Sequence, residues 1–447
     1  MAYTFRGGIH VKEYKNTSGC PIEAIPAPKT VSIPLSQHIG APASPVVAVG
    51  DRVLVGQKIA DVPAEKLGCP IHASVSGIVK EIEKRTIPSG AVVEHIVIEN
   101  DFTDEVSPDV KPPEKPYTEM TADEIIGVIR EAGISGMGGA AFPTYAKIRS
   151  AVGKVDTIII NCAECEPFIT ANHRLLLEHP DEIIGGVRIL IKALGVRETY
   201  IAVENNKMDA VAILKEKLAG DKDIAVKVMK TKYPQGDERQ LIYALKKVEI
   251  PTGKLPADVG CVLFNAETCA SVNRAFAEGR PSIRRIVTVD GDCVNTPKNV
   301  IVPIGTSVSD IIAFCGGLKK QPTRLISGGP MMGIAQWDKE MPVTKSTSAI
   351  LLFSESFGKK KTSNAQCIHC GKCVNHCPMH IMPMYIAQFS KVGDYAKAEE
   401  YGAMSCVECG SCSYNCPGGV EIVQYIRVAK AAIRTEKARL AALKSGK

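Results

Sequence analysis

The sequence predicts a multidomain chain that mixes α/β and α+β modules. Three observations predict it. Short strands separated by turns fill the first third, apolar strands alternate with amphipathic helices in the middle, and two cysteine-dense runs stand near the C-terminus. A length of 447 residues leaves room for three or four modest domains. Apolar residues make up 45% and charged residues 23%, the balance of a soluble globular protein. No stretch reaches the roughly eighteen consecutive apolar residues of a membrane helix, and the N-terminus lacks the apolar core of a signal peptide. A cytoplasmic, reducing setting is therefore expected, and it suits free thiols. A net charge of +6 without an aromatic-interleaved basic groove gives no sign of nucleic-acid binding.

The cysteine runs read Cys367-Ile-His-Cys370-Gly-Lys-Cys373-Val-Asn-His-Cys377-Pro378 and Cys406-Val-Glu-Cys409-Gly-Ser-Cys412-Ser-Tyr-Asn-Cys416-Pro417. Each is C-x2-C-x2-C-x3-C-P, the spacing of a bacterial ferredoxin loop. Three thiolates two residues apart wrap one face of an iron–sulfur cubane, and the fourth reaches the other cluster. The expected sets are Cys367, Cys370, Cys373 and Cys416 for one [4Fe–4S] cluster, and Cys406, Cys409, Cys412 and Cys377 for the second. A zinc site needs only four ligands, and a disulfide framework needs an oxidising setting. The chain is thus expected to move electrons singly. His369, His376 and His380 are expected around the clusters or at the surface rather than as ligands. Cys20, Cys69, Cys261, Cys269, Cys293 and Cys315 are expected to act as small buried hydrophobes.

Residues 1–30, rich in Gly and Pro, are expected to form an extended arm. Residues 31–100 alternate strands and turns, and the phrases Val49-Gly-Asp-Arg-Val-Leu-Val-Gly-Gln-Lys-Ile-Ala60 and Ile71-His-Ala-Ser-Val-Ser-Gly-Ile-Val79 resemble barrel-sandwich domains of the biotinyl/lipoyl type. The turn at Leu67-Gly-Cys-Pro70 has no lysine to carry a prosthetic group, so a structural or docking module is expected. Residues 101–117 read as a Pro-rich linker.

The next domain, residues 118–281, should open with a helix capped by Thr121 and Glu124. The glycine-dense loop Gly133-Ile-Ser-Gly-Met-Gly-Gly-Ala-Ala-Phe-Pro-Thr-Tyr-Ala-Lys147 follows. It contains G-x-G-x-x-A, but a helix stands where the dinucleotide fingerprint requires a strand. Two readings remain open, a phosphate cradle with Lys147 and a tight interhelical connection. Strands are expected at residues 155–161, 199–203, 224–229 and 261–264, with helices at 173–194, 208–219 and 238–247. Such alternation implies a parallel sheet covered on both faces, with ligands at the carboxyl ends of its strands. There stand Asn161-Cys-Ala-Glu-Cys-Glu-Pro167, Tyr233-Pro-Gln-Gly-Asp-Glu238 and Phe264-Asn-Ala-Glu-Thr268, and the carboxylates Glu164 and Glu166 can accept hydrogen bonds from a nucleotide. Cys162 and Cys165 form C-x-x-C, but the neighbouring acids would raise rather than lower their thiol pKa, which favours packing over redox exchange.

These motifs resemble the FMN- and NADH-binding subunit of respiratory complex I, where the patterns read GRGGAGFPT, NADEGEP, GEE and NVET. With Phe5-Arg-Gly-Gly-Ile-His10 in front and two ferredoxin runs behind, the whole chain is similar to the RnfC family, the cytoplasmic subunit of the Rnf electron-transport complex. The resemblance implies a Rossmann-like α/β flavin domain. Gly136, Gly138, Gly139, Lys147, Asn161, Glu164, Gly236, Asp237, Glu238, Asn265 and Thr268 would line FMN and its nucleotide partner, with Glu166 beside them and no catalytic side chain. Met137 stands where complex I has arginine, Cys165 replaces a glycine, and Asp237 replaces a glutamate. Residues 282–357 resemble the soluble-ligand-binding β-grasp domain of the same family, with strands at 286–289, 298–302 and 349–353 and a helix at 308–315.

Residues 358–419 are expected as a helical two-cluster ferredoxin-type domain that opens on the basic linker Lys359-Lys-Lys-Thr-Ser-Asn364, with a helix at 381–401 between the runs. A basic C-terminal helix, residues 420–447, would carry Arg427, Lys430, Arg434, Lys437 and Arg439 towards solvent, anionic lipid or an acidic neighbour. The function implied is hydride exchange between NADH or NAD+ and FMN, with single electrons relayed through both clusters to other subunits of a membrane complex. That complex would couple ferredoxin and NAD+ to ion transport, with this subunit peripheral on the cytoplasmic face. Two other readings are a cobalamin reductase of the propanediol-utilisation type and a non-catalytic iron–sulfur adapter.

Overall fold

A computed structural model describes residues 2–358 and 365–445; the Lys359-Lys-Lys-Thr-Ser-Asn364 stretch lies outside the described residues. The barrel-sandwich comes first. Strands Thr30–Pro34, Val92–Asn100, Gly77–Thr86 and Arg52–Val53 form one sheet, and Ser44–Pro45, Lys58–Asp61 and Ile71–His72 form a second. Alternating apolar residues of both sheets, Val31, Ile33, Ile59, Val79, Ile96 and Ile98 among them, close a core between them. The turn at residues 67–70 is buried against the next domain: Gly68 N–H faces the Tyr145 hydroxyl, and the Cys69 thiol donates to the Ile134 carbonyl. A lipoyl-type tip would project into solvent; this one is a docking contact.

The α/β domain has four parallel strands in the order Ile224–Met229, Glu198–Glu204, Thr157–Cys162 and Cys261–Asn265. The chain adds strands on one side of Thr157–Cys162 and then crosses to its other side. The crevice at that reversal, between the ends of Thr157–Cys162 and Cys261–Asn265, is where such sheets bind ligands. Helix Ala122–Glu131 starts on the expected capping box, with Thr121 and Glu124 each satisfying the other's backbone N–H. The stretch expected as one helix at 173–194 is two, Ala171–Glu178 and Pro180–Leu194, because Pro180 cannot continue a helix through its missing N–H.

A third sheet orders Ile22–Ala24, Lys298–Pro303, Arg284–Asp290, Ala349–Phe353, Arg324–Ser327 and Ile334–Gln336, with helix Val308–Phe314 packed on it in a β-grasp arrangement. Its edge strand comes from the N-terminal segment, which is therefore no free arm. The same segment pairs with the α/β domain at Tyr3 and Ile9. Between the cysteine runs, Pro383–Lys391 and Tyr395–Glu400 replace the single expected helix, broken at Gly393-Asp394. Helix Ile422–Ser445 closes the chain.

Candidate functional site: two thiol cavities joined to a strand-end crevice

Two cavities lie in the C-terminal domain. One, of about 540 Å³ including its open mouth, is lined by Cys367, Cys370, Cys373 and Cys416. The other, of about 300 Å³, is lined by Cys377, Cys406, Cys409 and Cys412. Each cavity thus gathers three cysteines of one run and the last cysteine of the other. Helices Lys372–Asn375 and Ser411–Tyr414 begin at Gly371 and Gly410, both left-handed (φ 72° and 80°), which turns the chain around each cavity. Burial pushes the Cys406 thiol up to about 11 and raises Cys373, Cys377, Cys409 and Cys412 as well. Four such thiols ionise together only around a cation, so the donor sets fit iron–sulfur clusters. His376 Nδ1 is bonded to the Lys372 carbonyl, and the residue is not among those lining either cavity.

The second cavity abuts the α/β domain. Tyr233, 1% exposed, donates its hydroxyl to the Cys409 carbonyl at 2.6 Å. Ile9 and Tyr233 exchange backbone hydrogen bonds at 2.8 and 2.9 Å, while Gly8 N–H donates to the His376 carbonyl. A β-carbon on Gly7 would stand 2.5 Å from the Cys377 carbonyl oxygen, so only glycine threads this seam. The first cavity faces outward instead, with Cys367 and Cys370 exposed.

The crevice is built by the glycine loop. Gly136 N–H donates to the Phe142 carbonyl and closes the loop, and Met137 N–H donates to Thr268 Oγ1. Arg285, paired with Glu267, donates to the Met137 carbonyl at 2.6 Å. The Met137 side chain is 1% exposed, so the residue at the arginine position of complex I is turned into the core. Gly138, Gly139 and Ala140 stay exposed with N–H groups that meet no acceptor among the described residues. A β-carbon on Gly138 would lie 2.9 Å from Asn265, which fixes that close approach. Helix Thr144–Ala151 follows, and among the described residues Lys147 Nζ donates to one group, the Leu263 carbonyl at 3.1 Å. Exposed loop N–H groups shortly before a helix, with a lysine in that helix's first turn, suit a phosphate.

The other predicted residues divide. Asn161 bridges Gly236 O and Ala163 N–H, and its strand neighbour in register is Asn265. Glu238 is exposed nearby. Asp237 caps helix Glu238–Lys246, and burial pushes its carboxyl up to about 6. Three predicted ligands are instead engaged within the fold. Glu164 accepts from Asn172 and His173 N–H at the start of helix Ala171–Glu178. Glu166 accepts from Met331 and Met332 N–H at 3.0 and 2.9 Å. Thr268, 1% exposed, has its hydroxyl on the glycine loop. Cys162 and Cys165 are both pushed up by burial, Cys162 to about 12, and serve packing: Gly236 N–H rests on Cys165 Sγ. Gln235, next to Gly236, is fully buried, and its side-chain polar atoms meet no partner among the described residues.

Sequence reasoning missed Lys15 and Lys207, which bond carbonyls of the loop after Asn161, and Arg285, which bonds the Met137 carbonyl. Of these only Arg285 carries a local signal, as the second of two arginines opening the otherwise apolar run of strand Arg284–Asp290.

Four family profiles match in chain order: the RnfC barrel sandwich hybrid domain over residues 3–103, the Nuo51 FMN-binding domain over 129–274, the SLBB domain over 286–335 and the 4Fe-4S dicluster domain over 366–420. A relative in Clostridium ljungdahlii, named as a subunit of a proton-translocating ferredoxin:NAD(+) oxidoreductase complex, is 44% identical over 98% of this chain and 97% of its own. The chain belongs to the RnfC family. A second relative, from the Na(+)-translocating ferredoxin:NAD(+) oxidoreductase complex of Acetobacterium woodii, is 42% identical over 97% of this chain and 98% of its own. The fold of an NAD+-reducing [NiFe]-hydrogenase chain matches with a TM-score of 0.51 at 18% identity, covering 72% of this chain and 63% of that one. Among the described residues of this RnfC chain no helix is long and apolar enough to cross a membrane.

Proposed function

We propose that this RnfC chain is the NAD(H)-facing electron-transfer subunit of an ion-translocating ferredoxin:NAD+ oxidoreductase, on the cytoplasmic face of its membrane. The observation that carries the reading is the seam. Tyr233 leaves the α/β domain two residues before Gln235-Gly236-Asp237 and hydrogen-bonds Cys409, a lining residue of the second thiol cavity. A path from crevice to cavity therefore runs through packed protein rather than water.

When bound, FMN would exchange a hydride pair with NAD(H), and [4Fe–4S] clusters would carry the electrons one at a time. In our reading Gly138, Gly139, Ala140 and Lys147 hold the FMN phosphate. Asn161, Gly236, Asp237, Glu238 and Asn265 frame the ring and nucleotide side, while Glu164, Glu166 and Thr268 keep the framing loops in place. Cys406, Cys409, Cys412 and Cys377 hold the inner cluster; Cys367, Cys370, Cys373 and Cys416 hold the outer one. Electrons leave past the outer cavity. Its rim carries Ile368, 65% exposed, with Lys372 and Lys391, and no carboxylate occurs between Glu355 and Asp394. Such a rim suits an acidic electron-carrying partner.

Anaerobic purification with iron and flavin analysis tests this. About eight irons with FMN, and bleaching on NADH, are expected; iron without flavin would leave the adapter reading standing. Cys416→Ser should alter the EPR signal of the outer cluster, and a change confined to the inner one would refute the cross-ligation.

A further inference from the structure

The loop at residues 163–169 has an unusual architecture. Its carbonyls point inward onto two lysines from outside the loop. Lys207 Nζ donates to the Ala163 carbonyl at 2.9 Å. Lys15 Nζ donates to the carbonyls of Glu164, Glu166 and Ile169 at 2.9, 2.8 and 2.6 Å. An ammonium has three N–H donors, so Lys15 is saturated by this loop alone.

Lys15 reaches the loop because the N-terminal segment is strapped to it. Phe168 N–H donates to the Glu13 carbonyl, and Thr17 shares a 2.5 Å hydrogen bond with Thr170. Tyr14 stacks on Phe168 with ring centroids 4.8 Å apart and planes 3° from parallel. Glu164 and Phe168 adopt left-handed backbone (φ 51° and 71°), a shape that side chains disfavour and that the strap stabilises.

A trans peptide is planar, so its N–H points opposite its C=O. Drawing the Ala163 and Glu164 carbonyls onto ammonium groups therefore aims the N–H groups of Glu164 and Cys165 the other way. Those two N–H groups, and that of Glu166, meet no acceptor among the described residues. The same loop holds Gly236 through Cys165 and follows Asn161 at the carboxyl end of the sheet.

We propose that Lys15, backed by Lys207, is a positioning residue of the flavin pocket: it orients and polarises the 163–166 peptides so that their N–H groups serve the electron-rich edge of the bound flavin. This rests on the flavin reading given above. A cation bonded to a peptide oxygen strengthens the opposite N–H as a donor, and reduced flavin carries negative charge on its pyrimidine edge, so the pair favours the reduced form. Burial and the neighbouring Lys207 lower Lys15 from a lysine's usual value, and Glu164 and Glu204 act against that shift. The N-terminal segment, which lies outside the flavin-domain profile, thereby contributes to flavin chemistry.

The test uses the full-length chain loaded anaerobically with FMN and both clusters. FMN affinity is read by fluorescence, flavin potential by spectroelectrochemical titration, and cluster integrity by EPR. A wild-type chain that retains no FMN overturns the flavin reading itself. Given retention, Lys15→Met should bind FMN about tenfold more weakly, the cost of losing charge-assisted hydrogen bonds. Its flavin potential should move negative with both cluster signals unchanged. Lys15→Arg keeps the charge without the three-carbonyl fit and should fall between. Wild-type affinity and potential in Lys15→Met overturn the proposal. If Lys15→Met does not fold, Lys15→Arg decides: wild-type values there overturn it, and a weakened, shifted flavin supports it.

Discussion

Glu166 ties the crevice to the inner cluster through one titratable group, and its removal has a calculable consequence. Its carboxylate holds Met331 and Met332, whose loop packs on Gly410 beside the second thiol cavity. Burial pushes the carboxyl up to about 7, against the pull of both N–H groups and of Lys15. The unfolded chain ionises near an ordinary glutamate value of about 4.3. A folded pKa above the unfolded one means that the folded state holds the proton more tightly. The stability this group contributes is full below about 4.3 and is lost as pH rises to about 7. The gap between those two values amounts to roughly 3–4 kcal/mol. Glu166→Gln removes the titration and leaves one of the two N–H groups facing an amide N–H2, a pH-independent loss of about 1–3 kcal/mol. Anaerobic chemical denaturation from pH 5.5 to 8 should therefore give stability curves that converge as pH rises, because the wild type loses its advantage. Parallel curves for the two proteins would refute the account.

Three further outcomes are expected. Tyr233→Phe removes the hydroxyl from the Cys409 carbonyl and should weaken the seam by about 1 kcal/mol, slowing NADH reduction of the inner cluster while FMN content stays unchanged; an unchanged rate in stopped-flow absorbance would argue against this path. Lys372→Glu, at the outer cavity's rim, should slow electron exchange with an acidic carrier and flatten its dependence on ionic strength, whereas NADH-to-flavin transfer should not change. Thr268→Val unpins Met137 N–H within a buried site and should cost about 1–3 kcal/mol in thermal stability along with weaker FMN retention; loss of neither would mean that the glycine loop holds its shape without it.

Much of the fold was legible because its signals are local. The capping box of Ala122–Glu131 and the spacing of the cysteine runs depend on residues a few positions apart. The four parallel strands follow from short apolar runs between amphipathic helices. The misreadings arise where distant groups decide. Residues 1–30 look like a free arm because nothing in them indicates that Ile22–Ala24 will pair with Lys298–Pro303. The C-terminal helix looks like a bare basic face, yet Arg427 and Lys430 both reach Glu408 and Lys437 reaches Glu399. Spacing along a helix cannot reveal a partner 19 to 38 positions away.

The same distinction explains why the motif carboxylates were harder to assign than the cysteines. A cluster ligand is specified by its element and spacing, because thiolate chemistry admits few other partners. A carboxylate accepts equally well from a nucleotide, a helix N-terminus or a loop amide. Glu164 and Glu166 lie two positions apart and are turned to different tasks, one on helix Ala171–Glu178 and the other on the 328–333 loop. Between them the backbone is pinned by Lys15, which the sequence places almost 150 residues earlier. With the side chains committed to structure, the parts of this loop left for a ligand are its N–H groups. In a site where charge changes with every turnover, backbone dipoles held by buried cations are the less mobile choice, since they need no reorganisation when the flavin is reduced.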